Sequence, residues 1–473
     1  MAKMKKPELL APAGDFEKLQ MAIAYGADAV YVGGKQFSLR ANAKNFDTDE
    51  LRKAIAYAHS NNVKIYVSVN IFANNYDFNG LKEYLQALKE MGADAVIIAD
   101  LGVLNIARQI PGLEIHISTQ ANITNYQSAM LYKNLGASRV ILARELSLDE
   151  IAEITLKTCN AASQPPANIL PAYAPEHTPS EFETEVFVHG AMCMSYSGRC
   201  LLSNYMANRD ANKGDCAQPC RWNYFLSPPL EPAPSNNDSN HTTFTLIEEQ
   251  RPDEQIPIYE DDRGTYILNS KDLCMIQHIP ELAATGVSSL KIEGRMKTAY
   301  YVAAVTRIYR EAIDDYFKCE NLYASKKDYY LRELKKSSNR DFFTGFYFGR
   351  AIDGQNLTNT VYQNTQDFLG VVVDYNAETK LALIQQRNKF AIGEEVEFIK
   401  SGQLQTITEI YDEYNTPIDT APHPKQMLYI KVAAPVEKLD IMRRAISGPP
   451  PVLMIPTKAS SGFDDTDKSD QAQ

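Results

Sequence analysis

Tryptophan occurs once in these 473 residues and histidine seven times. The histidines form no His-Glu-x-x-His pair, so the helix that carries a zinc peptidase centre is missing. A Gly-x-Ser-x-Gly elbow is missing too, which removes the usual stage for a serine hydrolase. No uncharged apolar run approaches the ~18 residues needed to cross a bilayer, so no membrane partner is implied. Met1 to Lys6 is followed by Pro7 and a short strand-like run instead of an apolar segment with a cleavage site, which points to a cytoplasmic chain. Positive charge is also scarce. With 48 Lys and Arg against 59 Asp and Glu, the net charge of −11 argues against a general coating of nucleic-acid phosphates and leaves room only for a local basic groove.

What is present is an ordinary globular composition, 44% hydrophobic and 23% charged, on a chain longer than one core normally organises. A large domain and a smaller one are therefore expected. From Pro7 to about Asp314, short apolar or β-branched runs alternate with amphipathic helical stretches, the pattern of parallel strands joined by helical crossovers. Eight strands are predicted, at 8–12, 29–33, 64–69, 95–99, 114–118, 139–143, 185–188 and 289–292. Helices are predicted at 15–25, 47–61, 79–91, 125–135 and 147–158, several closing on the same phrase, Gly-Ala-Asp-Ala at Gly26 and Gly92 and Gly-Ala-Ser-Arg at Gly136. Eight such units imply an α/β fold, a TIM-like (β/α)8 barrel over residues 1–320 whose active site lies where the strands end. Arg40, Asn42, Asn70, Asp100, Gln120, Asn122, Arg144, His189 and the run Lys291 to Arg295 occupy those ends. Residues 190–286 form a cysteine-rich insertion near the barrel mouth. A helical and loop bridge over 321–366 leads to alternating strands in a small C-terminal β-barrel domain over 367–446, and a disordered acidic tail fills 447–473.

Five of the seven cysteines fall in the insertion. A disulfide framework is not expected in a reducing compartment, so metal or redox duty comes first. Cys193, Cys200, Cys216 and Cys220 are spaced C-x6-C-x15-C-x3-C. Four thiolates in one loop segment suit a tetrahedral zinc or the irons of a cubane cluster, and buried thiols that bind nothing are a third reading. Structural zinc sites usually bring two short pairs, which the first spacing fits poorly. Cys159 and Cys319 lie at helix ends, and Cys274 follows Asn269-Ser-Lys-Asp-Leu273, a phrase that looks like a helix cap and first turn.

Longer phrases carry a resemblance. Pro7-Glu-Leu-Leu-Ala-Pro-Ala-Gly14, Gly26-Ala-Asp-Ala-Val-Tyr31, His189-Gly-Ala-Met-Cys193, Ser197-Gly-Arg-Cys200-Leu-Leu-Ser203, Gly214-Asp-Cys-Ala-Gln-Pro-Cys-Arg-Trp222, Asn269-Ser-Lys-Asp-Leu273 and Ser289-Leu-Lys-Ile-Glu-Gly-Arg295 stand in the order seen in the collagenase-like peptidase family, number thirty-two of the unassigned type. The chain is most similar to the branch of that family that acts in tRNA hydroxylation. The resemblance implies oxygen-independent, prephenate-dependent formation of 5-hydroxyuridine at the wobble position, with an iron–sulfur cluster of the 4Fe-4S type. It also implies the tRNA anticodon loop, a small dicarboxylate and the iron–sulfur assembly machinery as partners. Cys193, Cys200 and Cys216 match ligand positions of the relatives. The fourth ligand is Cys220, with Cys274 as the alternative because ubiquinone-pathway relatives take theirs from further downstream. Substrate contacts are expected from Lys291, Glu293, Arg295, His189, Arg199, Arg221, Gln120 and Asn42, with guanidinium groups forking onto carboxylates. Tyr196, Tyr205, Trp222 and Tyr224 surround the cysteines, and Lys389, Lys400 and Lys425 of the C-terminal domain are candidates for the tRNA backbone. Two other readings stand beside this one: a peptidase, with His189 serving Cys193 as a nucleophile, and a cluster-carrying subunit for a partner hydroxylase.

Overall fold

In the computed structural model, the described residues are 5–38, 44–159, 182–193, 196, 203, 209, 216–217, 244–248, 251–261, 264–266, 270–337, 340–349 and 365–445. The predicted tail over 447–473 and residues 161–180 and 227–243 lie outside them.

Strands β1 (Glu8–Pro12), β2 (Ala29–Gly33), β3 (Lys64–Val69), β4 (Ala95–Ile98), β5 (Ile115–Ile117), β6 (Arg139–Ile141) and β7 (Glu183–Ala191) pair in parallel in chain order. After β8 (Phe244–Glu248), β9 (Arg251–Asp261), β10 (Gly264–Tyr266) and β11 (Asp272–Cys274), strand β12 (Ser289–Ile292) pairs with both β7 and β1 and closes an eight-stranded barrel. The strands are nearly all buried because helices cover the outside while side chains fill the inside. Between them run α1 (Phe16–Ala24), α2 (Thr48–Ser60), α3 (Leu81–Met91), α4 (Leu101–Ala107), α5 (Tyr126–Asn134) and α6 (Leu148–Cys159). Their starts are written locally: Asp15 caps α1, and Asp47 with Glu50 forms a capping box on α2. The repeated phrases end these helices on glycines of positive φ, Gly26 (96°), Gly92 (89°) and Gly136 (95°), a conformation that costs other residues a Cβ clash.

Two local expectations are corrected. Helix α4 was not predicted, because its seven residues are too few to show a period. The phrase before Cys274 is not a helix start: β11 pairs antiparallel with β7, placing Cys274 opposite His189, and β13 (Phe342–Phe343) pairs with β11. This pairing extends β7 to nine residues, and nothing in the local sequence announces it. The short α7 (Ile279–Ala284) precedes β12, and the long α8 (Ala299–Lys318) follows it and packs on the barrel.

Helix α9 (Glu320–Lys335) leads on to the C-terminal domain, where the sheet order is β18-β17-β22-β14-β15-β21-β19 and the pairing is antiparallel. These strands are β14 (Gln366–Asn376), β15 (Leu381–Gln386), β17 (Glu395–Phe398), β18 (Gln403–Thr406), β19 (Ile410–Tyr411), β21 (Met427–Lys431) and β22 (Ile441–Ala445), with β16 (Phe390–Ala391) and β20 (Thr420–Ala421) as a separate pair. The sheet forms an antiparallel half-barrel with its own core of Leu369, Ile384, Phe398, Leu428, Ile430 and Met442. Arg443 joins the two domains: it is fully buried and donates to Glu333 on α9 at 2.8 Å and to Tyr300 on α8 at 3.2 Å.

Candidate active site at the barrel mouth

A charged column fills part of the barrel interior. At its lower end Arg139 donates to Glu8 (2.7 Å), Glu183 (2.6 Å) and Glu185 (3.0 Å). Glu185 accepts with its other oxygen from Lys291 Nζ at 2.8 Å, one step nearer the mouth. Burial alone would raise the carboxyl, but Lys291 and Arg139 outweigh it and hold Glu185 down at about 2. Lys291 is lowered from the usual lysine range because burial exceeds the pull of Glu185. Its ammonium also lies 4.4 Å from the centre of the Tyr31 ring. Glu185 was not singled out from the sequence. A carboxylate two residues after Glu183 on the same strand, followed by Val-Phe-Val, was the available signal.

Above this column the strand ends enclose a small cavity lined by Tyr31, Ser68, Asn70, Gln120, Arg144, Phe187, Lys291, Glu293 and Arg295, among others. The predicted residues Gln120, Lys291, Glu293 and Arg295 are thus brought together at the mouth. Lys291 pairs with Glu185, while Glu293 pairs with Arg144 at 3.1 Å. Arg144 therefore has a larger part than its strand-end position suggested. It stacks 3.9 Å from the Phe187 ring centre and donates to Ala191 O at 2.6 Å, tying the ends of β6, β7 and β12.

Two glycines let these loops meet. Gly190, at φ 110°, lies so close to Glu293 that an added Cβ would stand 2.7 Å from the Glu293 carbonyl oxygen. The Glu293 amide donates to His189 O at 2.9 Å across the same junction. At Gly33 a Cβ would stand 1.9 Å from Arg295 Nη1, so the missing side chain is the space the guanidinium occupies. Arg295 is 4% exposed and donates to Ser38 Oγ at 3.0 Å.

His189 does not line this cavity. It is buried among Tyr301, Tyr309 and Phe342, its Nδ1 is 3.4 Å from Tyr309 Oη, and burial followed by the charge of Lys297 pulls it down to about 3. Asp100 caps α4, and Asn122 closes the short turn after β5. Arg40, Asn42, Arg199, Arg221, Cys200 and Cys220 lie outside the described residues, as do Tyr205, Trp222 and Tyr224.

Cys193 follows the end of β7 by two residues and is exposed. Cys216 is partly exposed, and neither is in a disulfide. Ala217, next to Cys216, donates to Ser203 Oγ at 2.8 Å, which draws the chain beside one cysteine to the serine closing the Cys200-Leu-Leu-Ser203 phrase. Cys274 differs in kind: it is 7% exposed, and burial pushes its thiol up to about 12. The two accessible thiols fit ligands for a soft metal centre, and Cys274 fits a packed side chain. Among the described residues, no three His, Cys, Asp or Glu come together as a metal site.

Comparison with known proteins agrees with the family resemblance. The model of Peptidase family U32 matches residues 14–356, and that of the Peptidase family U32 C-terminal domain matches 364–443. The chain is 37% identical over 445 residues to "tRNA hydroxylation protein P1" of Bacillus subtilis, covering 93% of this chain and 95% of that protein. It is 38% identical over 420 residues to "tRNA hydroxylation protein P" of Escherichia coli, covering 84% and 86% of the two chains. Against a "Collagenase" of Porphyromonas gingivalis the identity is 32% over 349 residues, covering 73% and 74%. With most of its length matched by the family model and relatives aligned over nearly the whole chain, the protein belongs to peptidase family U32.

Proposed function

We propose that the chain is a tRNA-modifying hydroxylase that acts at C5 of the wobble uridine, with prephenate as co-substrate and an iron–sulfur cluster held by Cys193, Cys200, Cys216 and Cys220. The observation that carries this reading is the alignment, over 93% of the chain, with a protein named for tRNA hydroxylation. The geometry agrees with it. Lys291, Arg144 and Arg295 converge on one cavity, where cations offset the charge of a small dicarboxylate, and Arg295 offers the planar fork that suits a carboxylate. Glu293 orients Arg144, and Glu185 holds Lys291 in place. A cluster held by these cysteines would supply single-electron chemistry. Arg199 and Arg221 stand next to the cysteines in the sequence and belong to the same reading, as does Asn42. Tyr196, 47% exposed three residues after Cys193, offers a face on which a base of an anticodon loop can stack.

The peptidase reading finds less support. The family relatives include a protein named collagenase, but His189, the base that a Cys193 nucleophile would need, is enclosed by aromatic rings and does not line the mouth. Mass spectrometry of tRNA nucleosides from cells with and without the gene tests the proposal: 5-hydroxyuridine derivatives are lost on deletion, and an unchanged level in a strain without a paralogue removes it.

A further inference from the structure

Gln120 sits in the turn that follows β5, lines the mouth cavity and is 6% exposed. Its backbone is pinned on both sides: its amide donates to Ser118 Oγ at 3.2 Å, and its carbonyl accepts from Asn122 Nδ2 at 3.1 Å. Its carboxamide is different. Among the described residues Oε1 is buried with no hydrogen-bond partner. A fixed backbone that holds an unpaired polar group at the wall of a cavity is an unfavourable arrangement unless a ligand or a water completes it, so the group is available to a ligand that displaces water.

A carboxamide offers one acceptor and two donors side by side. The carboxylates of a small acid are acceptors only. They could meet Nε2 and would leave Oε1 unpaired. The edge of a uracil ring meets both, with N3–H donating to Oε1 and O4 accepting from Nε2, in the paired manner by which Asn and Gln read base edges. We infer that Gln120 is the residue that reads the Watson–Crick edge of the target base, while the cations across the cavity serve the acid. This inference rests on the tRNA reading above. Rotated by half a turn, the carboxamide would also meet cytosine, so Gln120 recognises the edge of a pyrimidine and leaves its exact identity to other contacts.

The test uses the full-length protein, purified without oxygen, and anticodon stem-loop RNAs that carry uridine or N3-methyluridine at the first anticodon position, with affinity read by fluorescence anisotropy. The methyl group removes the N3–H donor. The wild-type protein prefers uridine by roughly tenfold or more, the scale of one paired base contact. In Gln120→Ala the preference falls to about twofold or less. Gln120→Met, which keeps the side-chain bulk, gives the same result if the alanine variant folds poorly. A preference that survives in both variants, or that the wild type lacks, overturns the inference and leaves the tRNA reading in place. Failure of the wild type to bind either RNA overturns both.

Discussion

A missing side chain at position 33 decides where Arg295 can stand. In Gly33→Ala the new methyl would meet the guanidinium and, at 2.5 Å, Ser38 Oγ. The end of a long flexible side chain can move aside at small cost to folding, but it then leaves the cavity wall. The expected outcome is a melting temperature within a few degrees of wild type, together with a fall of about tenfold or more in 5-hydroxyuridine when the variant complements a deletion strain. Unchanged modification would move Arg295 to a purely structural role. The cysteines give a second test at this scale. Cys220→Ser purified without oxygen is expected to lose iron and acid-labile sulfide, whereas Cys274→Ser keeps both, because the Cys274 thiol is buried and held in its protonated form. The opposite pattern would reverse the ligand assignment. Lys291, Glu293, Arg295 and Gln120 were legible in the sequence because polar residues at the ends of apolar strands stand out. His189 stood out for the same reason and yet packs away from the mouth, since its β11 partner Cys274 and the rings of Tyr301, Tyr309 and Phe342 that enclose it all come from far along the chain.

Among the elements, β6, β7 and β12 are bound by the buried charges Arg139, Glu185 and Lys291. Glu185→Gln takes the paired carboxylate from Lys291 while Arg139 keeps Glu8 and Glu183, and loss of one partner from such a buried group costs about 3–5 kcal/mol. Glu185→Gln with Lys291→Met should recover part of that loss in urea or thermal unfolding. Equal instability of the double and single variants would show that the pair is not coupled. The folded carboxyl lies near 2, below its ordinary value, so its contribution is complete above the unfolded pKa and is lost as pH falls from about 4.5 toward about 2. Acid unfolding of the wild type through that window should therefore be less steep in Glu185→Gln. The eight strands and five of the helices could be read locally, because alternation and capping are properties of neighbouring residues. The mutual pairing of Glu185 with Lys291, and of Glu293 with Arg144, could not, because residues distant in sequence meet only once the barrel closes.

For the molecule as a whole, the barrel and the C-terminal half-barrel are fastened along α1 and α8. Tyr25 Oη accepts from the Ile441 amide at 3.0 Å and donates to Leu439 O at 3.2 Å, beside the Arg443 cluster. Buried contacts of this kind hold the second domain against the flank of the barrel and leave the mouth to the βα loops. Lys400, one of the candidates for the tRNA backbone, pairs with Glu437 at 2.5 Å, while Lys389 and Lys425 are exposed. No helix among the described residues is long and apolar enough to cross a membrane. The length of the chain foretold two cores, and the polar residues at the strand ends foretold the mouth, but the docking surface depends on single buried side chains such as Arg443 that no local pattern marks. The proposed activity of this mouth is hydroxylation of tRNA. The most direct measurement is the 5-hydroxyuridine content of tRNA from a deletion strain without paralogues, complemented with the full chain or with its Cys193→Ser variant. Restoration by the full chain and none by Cys193→Ser is the predicted result, and restoration by neither or by both to the same level would contradict it.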